Sequence, residues 1–380
     1  MGSSSERDIM KRIIYIFTLF FCFSQLGFSE GYSAKKYYLH SLVEQNLNDN
    51  SRKAIMHWVD FLYESNDSLR ANYWDKSEKL ELKEDYCLFE KLLLQMPRET
   101  LLQYFPPYIL SAEKIGNEYF LKTVFAQKEV SLNDTSANNQ NPVAIIDIVV
   151  SNQSGKFYLK NSLNYQVLNF KKAKIGKIEY YVHPLLEIDN FSCQKANEFC
   201  DSLSKIWTGQ SLQENIKYYV TPSPESLSRL LGFDFAYFGY TFGYTSINAK
   251  YIFSGTGNFN YRHELAHLVI GDIKNSLLSE GLATYYGGSG NVQFVELVKD
   301  FNKENYPLNE DKLKSILQNT NSKNYYVLGA ILVNEVIKKS GIEGLKKFSQ
   351  ININDEKMIS EICKNLGIKN LIDFINKQRD

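Results

Sequence analysis

The chain has 380 residues, enough for two or three domains and a substantial core. A hydrophobic content of 44% with 14% aromatic residues excludes a disordered or collagen-like chain. Basic and acidic residues balance at 43 each, and no basic run interleaved with aromatics occurs, so nothing points to nucleic acid as a partner.

Met10-Lys-Arg12 precedes an apolar run, Ile13 to Phe23, that is too brief to span a bilayer, and Gly27-Phe-Ser29 offers small residues at cleavage spacing. Residues 1–29 therefore read as a secretory signal peptide, with Met1 or Met10 as the start. The mature protein is expected to be exported, periplasmic or secreted, with no stable membrane span once the signal is removed; an uncleaved anchor is the alternative. Four cysteines remain, Cys87, Cys193, Cys200 and Cys363, too few for a disulfide scaffold. Cys193 and Cys200 would lie about 10 Å apart along one helix, too far to bond, so buried free thiols are expected.

Residues 30–110 read as a helical region. Ala34–Leu47, Arg52–Tyr63 and Tyr86–Gln95 carry apolar residues at three- and four-residue spacing, with Asn50 or Ser51 capping the second. His40 and His57 lie on these helices without a second ligand-type residue at helical spacing, and read as surface or internally satisfied. Pro106-Pro107 ends the pattern. A small β module, residues 111–175, follows. Tyr108–Ile115, Glu118–Ala126, Val143–Ser151, Lys156–Leu159 and the next run, Lys177–His183, are rich in β-branched and aromatic residues and suggest a small antiparallel sheet. Ser131–Pro142 is polar and unpatterned, hence a loop. Residues 30–175 carry no motif that assigns them a role.

From residue 176 to 380 a third unit can be traced. Strand Lys177–His183 leads to helix Asp189–Trp207, strand Ile216–Val220, and a helix that Ser223 caps and Pro224 opens. His183, before Pro184 at a strand end, reads as structural. After the Gly- and aromatic-rich Gly232–Tyr244 comes strand Ser246–Phe253, then Asn260-Tyr-Arg-His-Glu-Leu-Ala-His-Leu-Val-Ile-Gly271. On a helix advancing about 100° per residue, His263 and His267 stand one turn apart on one face, so both imidazoles can reach one metal ion. Glu264 beside them can reach a water on that metal without being a ligand. Asn260 can cap this helix and Gly271 can end it; Asn275 or Ser276 opens a second one, which presents Glu280 inward as a third ligand. The remaining chain is helical: Val292–Asn302, Asp311–Leu317, Asn324–Lys338, Ile342–Phe348, Asp355–Asn365 and Asn370–Lys377.

With His263-Glu-x-x-His267 and Ser279-Glu-Gly-Leu-Ala-x-Tyr285, residues 176 to 345 resemble the gluzincin metallopeptidases, whose third ligand is a glutamate on a second helix. The resemblance implies an α+β fold with a thermolysin-like catalytic domain, a small mixed sheet plus helices, preceded here by the helical segment and the β module. It implies one Zn2+ per chain held by His263, His267 and Glu280, Glu264 as general base, and a peptide or protein substrate. It also implies an edge strand beside the cleft, where Lys250-Tyr251-Ile252 is similar in placement, and an oxyanion donor, where Tyr326-x-x-Gly329 is similar to the Tyr-x-x-Gly helix of aminopeptidase-like members. Tyr325, Tyr285 and Tyr286 are rivals for that last role. Two departures stand out: the twelve-residue gap between His267 and Glu280 is short, and Thr284 stands where thermolysin-like members carry an acidic partner for a ligand histidine. A non-catalytic envelope or binding protein that keeps such a zinc site is the alternative reading. Cleavage preference, endo- or exopeptidase action and oligomeric state are not legible.

Overall fold

Strict alternation builds the first sheet. In Glu118–Ala126 every second side chain, Tyr119, Leu121, Thr123 and Phe125, is buried, the signature of a strand with one covered face. The computed structural model describes residues 37–83, 86–90, 97–127, 142–237 and 239–377. The expected signal peptide, the first residues of the expected Ala34–Leu47 helix, much of Tyr86–Gln95 and most of Ser131–Pro142 lie outside them.

The strands are β1 (Tyr38–Leu39), β2 (Pro107–Ile115), β3 (Glu118–Ala126), β4 (Pro142–Gln153), β5 (Lys156–Asn161), β6 (Lys171–Ile175), β7 (Ile178–Val182), β8 (Ile216–Val220), β9 (Phe233–Ala236), β10 (Gly243–Ser246) and β11 (Tyr251–Ser254). The helices are α1 (Ser41–Asn46), α2 (Asp49–Tyr63), α3 (Asp67–Arg70), α4 (Lys76–Leu82), α5 (Arg98–Tyr104), α6 (Leu163–Gln166), α7 (Asn190–Thr208) and α8 (Pro224–Leu230). They continue with α9 (Arg262–Ile270), α10 (Ser276–Gly287), α11 (Phe294–Asn305), α12 (Glu310–Gln318), α13 (Lys323–Ser349), α14 (Asp355–Leu366) and α15 (Leu371–Lys377).

Sheet one runs β1-β2-β3-β4-β5, with β9 added to β4; sheet two runs β10-β11-β8-β7-β6. The first is antiparallel apart from the parallel β1–β2 pair, and α2 packs on it through Trp58, whose indole donates to Thr123 at 2.9 Å. The second has a parallel centre, β7, β8 and β11, flanked by antiparallel β6 and β10. Alternation splits its aromatic residues between two cores. Tyr180, Val182, Tyr218, Val220 and Ile252 pack beneath α7 and α9, while Tyr181, Tyr219, Tyr251 and Phe253 join the core under sheet one and its helices. A third core lies among α10 to α15. The architecture is mixed helix and strand with small mixed sheets, compatible with an α+β class. Among the described residues no helix is long and apolar enough to cross a membrane.

Five local expectations need correction. Lys177–His183 forms β7, an inner strand of sheet two, because its parallel partner Ile216–Val220 lies beyond a crossover helix. Ser246–Phe253 is two strands, since residues 247–250 turn and Lys250 adopts φ 61°. The sheet edge is consequently β10, and Tyr251-Ile252 is paired on both sides. In the N-terminal region Tyr38–Leu39 pairs with β2 rather than continuing a helix, and Asn48, not Asn50 or Ser51, caps α2 through the Ser51 amide.

Candidate metal centre

Two buried phenols fix where α9 begins. Tyr218 donates to the Asn258 carbonyl at 2.8 Å and accepts from the Tyr261 amide at 3.0 Å; Tyr180 reaches the Phe259 carbonyl at 3.2 Å. Asn260 does not cap the helix as its position suggests. Tyr261 occupies the N-cap position without a side-chain bond, the Asn260 amide is taken by Asn258, and Asn260 Oδ1 is buried without a partner. Leu265 and Leu268 bury one face of α9 over sheet two, which turns His263 and His267 toward α10.

The return is short because both its ends are chemically terminated. Gly271 ends α9 at φ 90°, and Asn275 caps α10 by accepting from Leu278 at 3.0 Å while its amide donates to Asp355 at 2.8 Å. Two glycines then let α10 lie unusually close to its neighbours. A Cβ on Gly287 would sit 2.5 Å from the Arg262 backbone, and one on Gly281 would sit 2.4 Å from Gly329. A Cβ on Gly329 would in turn meet the Leu277 carbonyl at 2.2 Å. The Gly281–Gly329 crossing sets α13 against α10 beside Glu280, with Tyr326 one turn earlier on α13.

The structure brings His263, His267 and Glu280 together, their ligand atoms all within 4.8 Å of one another. His263 Nε2 is 3.2 Å from Glu280 Oε2 and 3.3 Å from His267 Nε2, and His267 Nε2 is 3.6 Å from the same carboxylate oxygen. Donors about 2.0–2.1 Å from a tetrahedral zinc stand roughly 3.3–3.4 Å apart, so this donor set fits the ion. The far edges of the rings fit it as well. His263 Nδ1 lies 2.9 Å from the Gly288 carbonyl, which can only accept, so Nδ1 carries hydrogen and Nε2 is the nitrogen left to turn a lone pair to a metal. His267 Nδ1 faces the Ser279 hydroxyl at 3.4 Å. Burial alone would raise the Glu280 carboxyl, but its bonds to His263 and His267 outweigh burial and hold it down at about 2.

Glu264 stands outside this ligand group. Its Oε2 accepts from Thr245 of β10 at 2.7 Å, and its other oxygen would lie 2.9 Å from a Cβ on Gly243, so the edge strand both orients the carboxylate and leaves it room. Tyr326 stacks on His263, centroids 5.6 Å apart and planes at 24°. Of its rivals, Tyr325 is fully buried and donates to Asp355 at 2.7 Å, while the ring of Tyr285 packs edge-on against Tyr286 and Phe294. Thr284 is buried with its hydroxyl unpartnered, and supports neither histidine.

Thr245, Ser279, Gly288 and Tyr261 do not emerge from sequence reasoning. Ser279 lies twelve residues after His267, within the glutamate helix's own signature. Thr245 is signalled only by β pairing, and Gly288 only by its φ of 77° after the helix. The other histidines serve locally: His40 accepts from the Leu42 amide, His57 contacts the Tyr73 carbonyl and His183 accepts from the Leu185 amide. Cys87, Cys193, Cys200 and Cys363 are all free, the first three buried. A cavity of about 330 Å³ opens against His263 and Tyr261, with Asn258, Asn260, Ser289 and Gln293 among its walls. Compared with known protein families and with curated proteins, the chain matches none.

Proposed function

We infer that this chain is an exported zinc-dependent metallopeptidase, with a thermolysin-like catalytic unit of the gluzincin kind. The observation that carries the reading is the convergence of three acceptors at tetrahedral spacing, with one further carboxylate, Glu264, held just outside them by Thr245. A purely structural zinc site has no use for that fourth group.

Zinc held by His263, His267 and Glu280 would supply Lewis acidity, polarising a peptide carbonyl and bringing the pKa of water toward about 7. Glu264, steadied by Thr245, takes a proton from the attacking water and hands it to the leaving amine. Tyr326 donates a hydrogen bond to the carbonyl oxygen as negative charge builds there. β10, the outermost strand of sheet two, hydrogen-bonds an extended substrate backbone, so that main-chain contacts supply affinity and neighbouring pockets supply preference.

Incubating zinc-loaded protein with a mixed peptide library, and reading cut sites by mass spectrometry, tests this directly. Cleavage that drops by several orders of magnitude in Glu264→Gln, with zinc content and folding retained, is the expected result. Equal inertness of wild type and variant would leave a zinc-binding protein without turnover.

A further inference from the structure

We propose that Tyr261 is a second phenolic donor in this site, sharing with Tyr326 the oxygen of the carbonyl under attack. The proposal rests on the peptidase reading and adds a residue to it. Tyr261 Cε1 and Glu264 Oε1 lie against one backbone position: a Cβ on Gly243 would stand 2.5 Å from the first and 2.9 Å from the second. The phenol therefore shares the edge-strand side of the centre with the base. Its ring lies 6.5 Å from that of His263, and Tyr326 covers the same imidazole at 5.6 Å. The two tyrosines thus border the space in front of His263.

Two further observations separate this role from packing. The ring of Tyr261 packs against the core beneath α9, but its hydroxyl makes no hydrogen bond to a described residue. The bond from its amide to the buried Tyr218 fixes its backbone. A donor held in place before the reaction is what oxyanion stabilisation requires.

The electron count is simple. As the water oxygen bonds to the carbonyl carbon, the π pair moves onto the carbonyl oxygen, and its lone pairs accept from Tyr261 and Tyr326 without either phenol losing its proton. Re-forming C=O then breaks C–N, and nitrogen leaves with the proton that Glu264 took from water.

The test uses the full zinc-loaded chain, the peptide best cut from the library, and a phosphinic analogue of that peptide as a tetrahedral mimic. Tyr261→Phe is expected to keep one zinc and the wild-type melting temperature, and to lower kcat by roughly 10²-fold with little change in KM. Calorimetry should show its affinity for the phosphinate falling by a similar factor, whereas affinity for the uncleaved peptide bound to Glu264→Gln is unaffected by adding Tyr261→Phe. Unchanged kcat and unchanged phosphinate affinity, in a wild type that does cleave, would overturn the proposal alone. A wild type that cuts nothing would remove the peptidase reading and this proposal with it.

Discussion

Two glutamates, the half-buried Glu280 of the candidate metal centre and the buried Glu78 under sheet one, have opposite surroundings. Glu78 is 6% exposed, and its Oε2 accepts from both the amide and the side chain of Asn161 at 2.9 Å. Asn161 is itself completed by the Tyr86 carbonyl and the Leu88 amide. Burial outweighs these bonds and pushes the Glu78 carboxyl up to about 7. Glu280 instead faces two imidazole Nε2 atoms, one of them on a ring whose far nitrogen is committed to a carbonyl. A carboxylate closed off by an amide is a finished structural network; one on which two imidazole Nε2 atoms converge is a donor set that fits a cation. That contrast distinguishes a site from a core.

The contrast breaks most sharply at the ligand. Glu280→Ala removes an anionic donor, and zinc affinity should fall well beyond the 10- to 100-fold that outer partners of a metal site cost, read by competition with a chromogenic chelator. Next comes Tyr326→Phe, expected to lower kcat by roughly 10²- to 10³-fold with zinc retained, because one donor to the developing charge is lost. An unchanged rate there, with Tyr286→Phe impaired, would reassign the role.

Glu78 sharpens the other half. Its folded pKa, about 7, stands above the ordinary 4.5, so its contribution to stability is fully present below pH 4.5 and is lost as pH rises through about 7. The loss amounts to about 3 kcal/mol across that window. Glu78→Gln keeps an acceptor for Asn161 and cannot ionise, so urea titrations between pH 4.5 and 8 should show a correspondingly flatter profile than wild type. An identical slope would mean that the network binds the ionised form equally well. The smallest effect belongs to Thr284→Val. Its buried hydroxyl bonds to nothing, so zinc affinity should not move and stability should change by no more than about 1 kcal/mol.

Much of this was legible in the sequence where the cause is local. Asp189, Ser223 with Pro224, Asn275 and Gly271 mark helix ends by their own hydrogen bonds or backbone freedom, and each is where the structure has it. The pairing of His263 with His267 follows from helical periodicity alone. What escaped depends on distant chain. The turn at residues 247–250 sits inside a run of β-compatible residues, so the edge strand was displaced by several positions, and with it Thr245, whose contact with Glu264 exists only through the register of β10 on β11. Asn260 looks like a cap by composition, but Tyr218 and Asn258 had already fixed the backbone there. The Gly281–Gly329 contact was invisible because nothing in either helix alone shows that they cross at those residues.

X-ray absorption on the purified chain, with metal counted by native mass spectrometry, tests the central claim most directly. The predicted result is one zinc per chain with two imidazole nitrogens and a carboxylate oxygen in its shell, and loss of that zinc in the His263→Ala and His267→Ala variants. A chain that binds no zinc, or one that keeps a full complement after either substitution, would contradict the account.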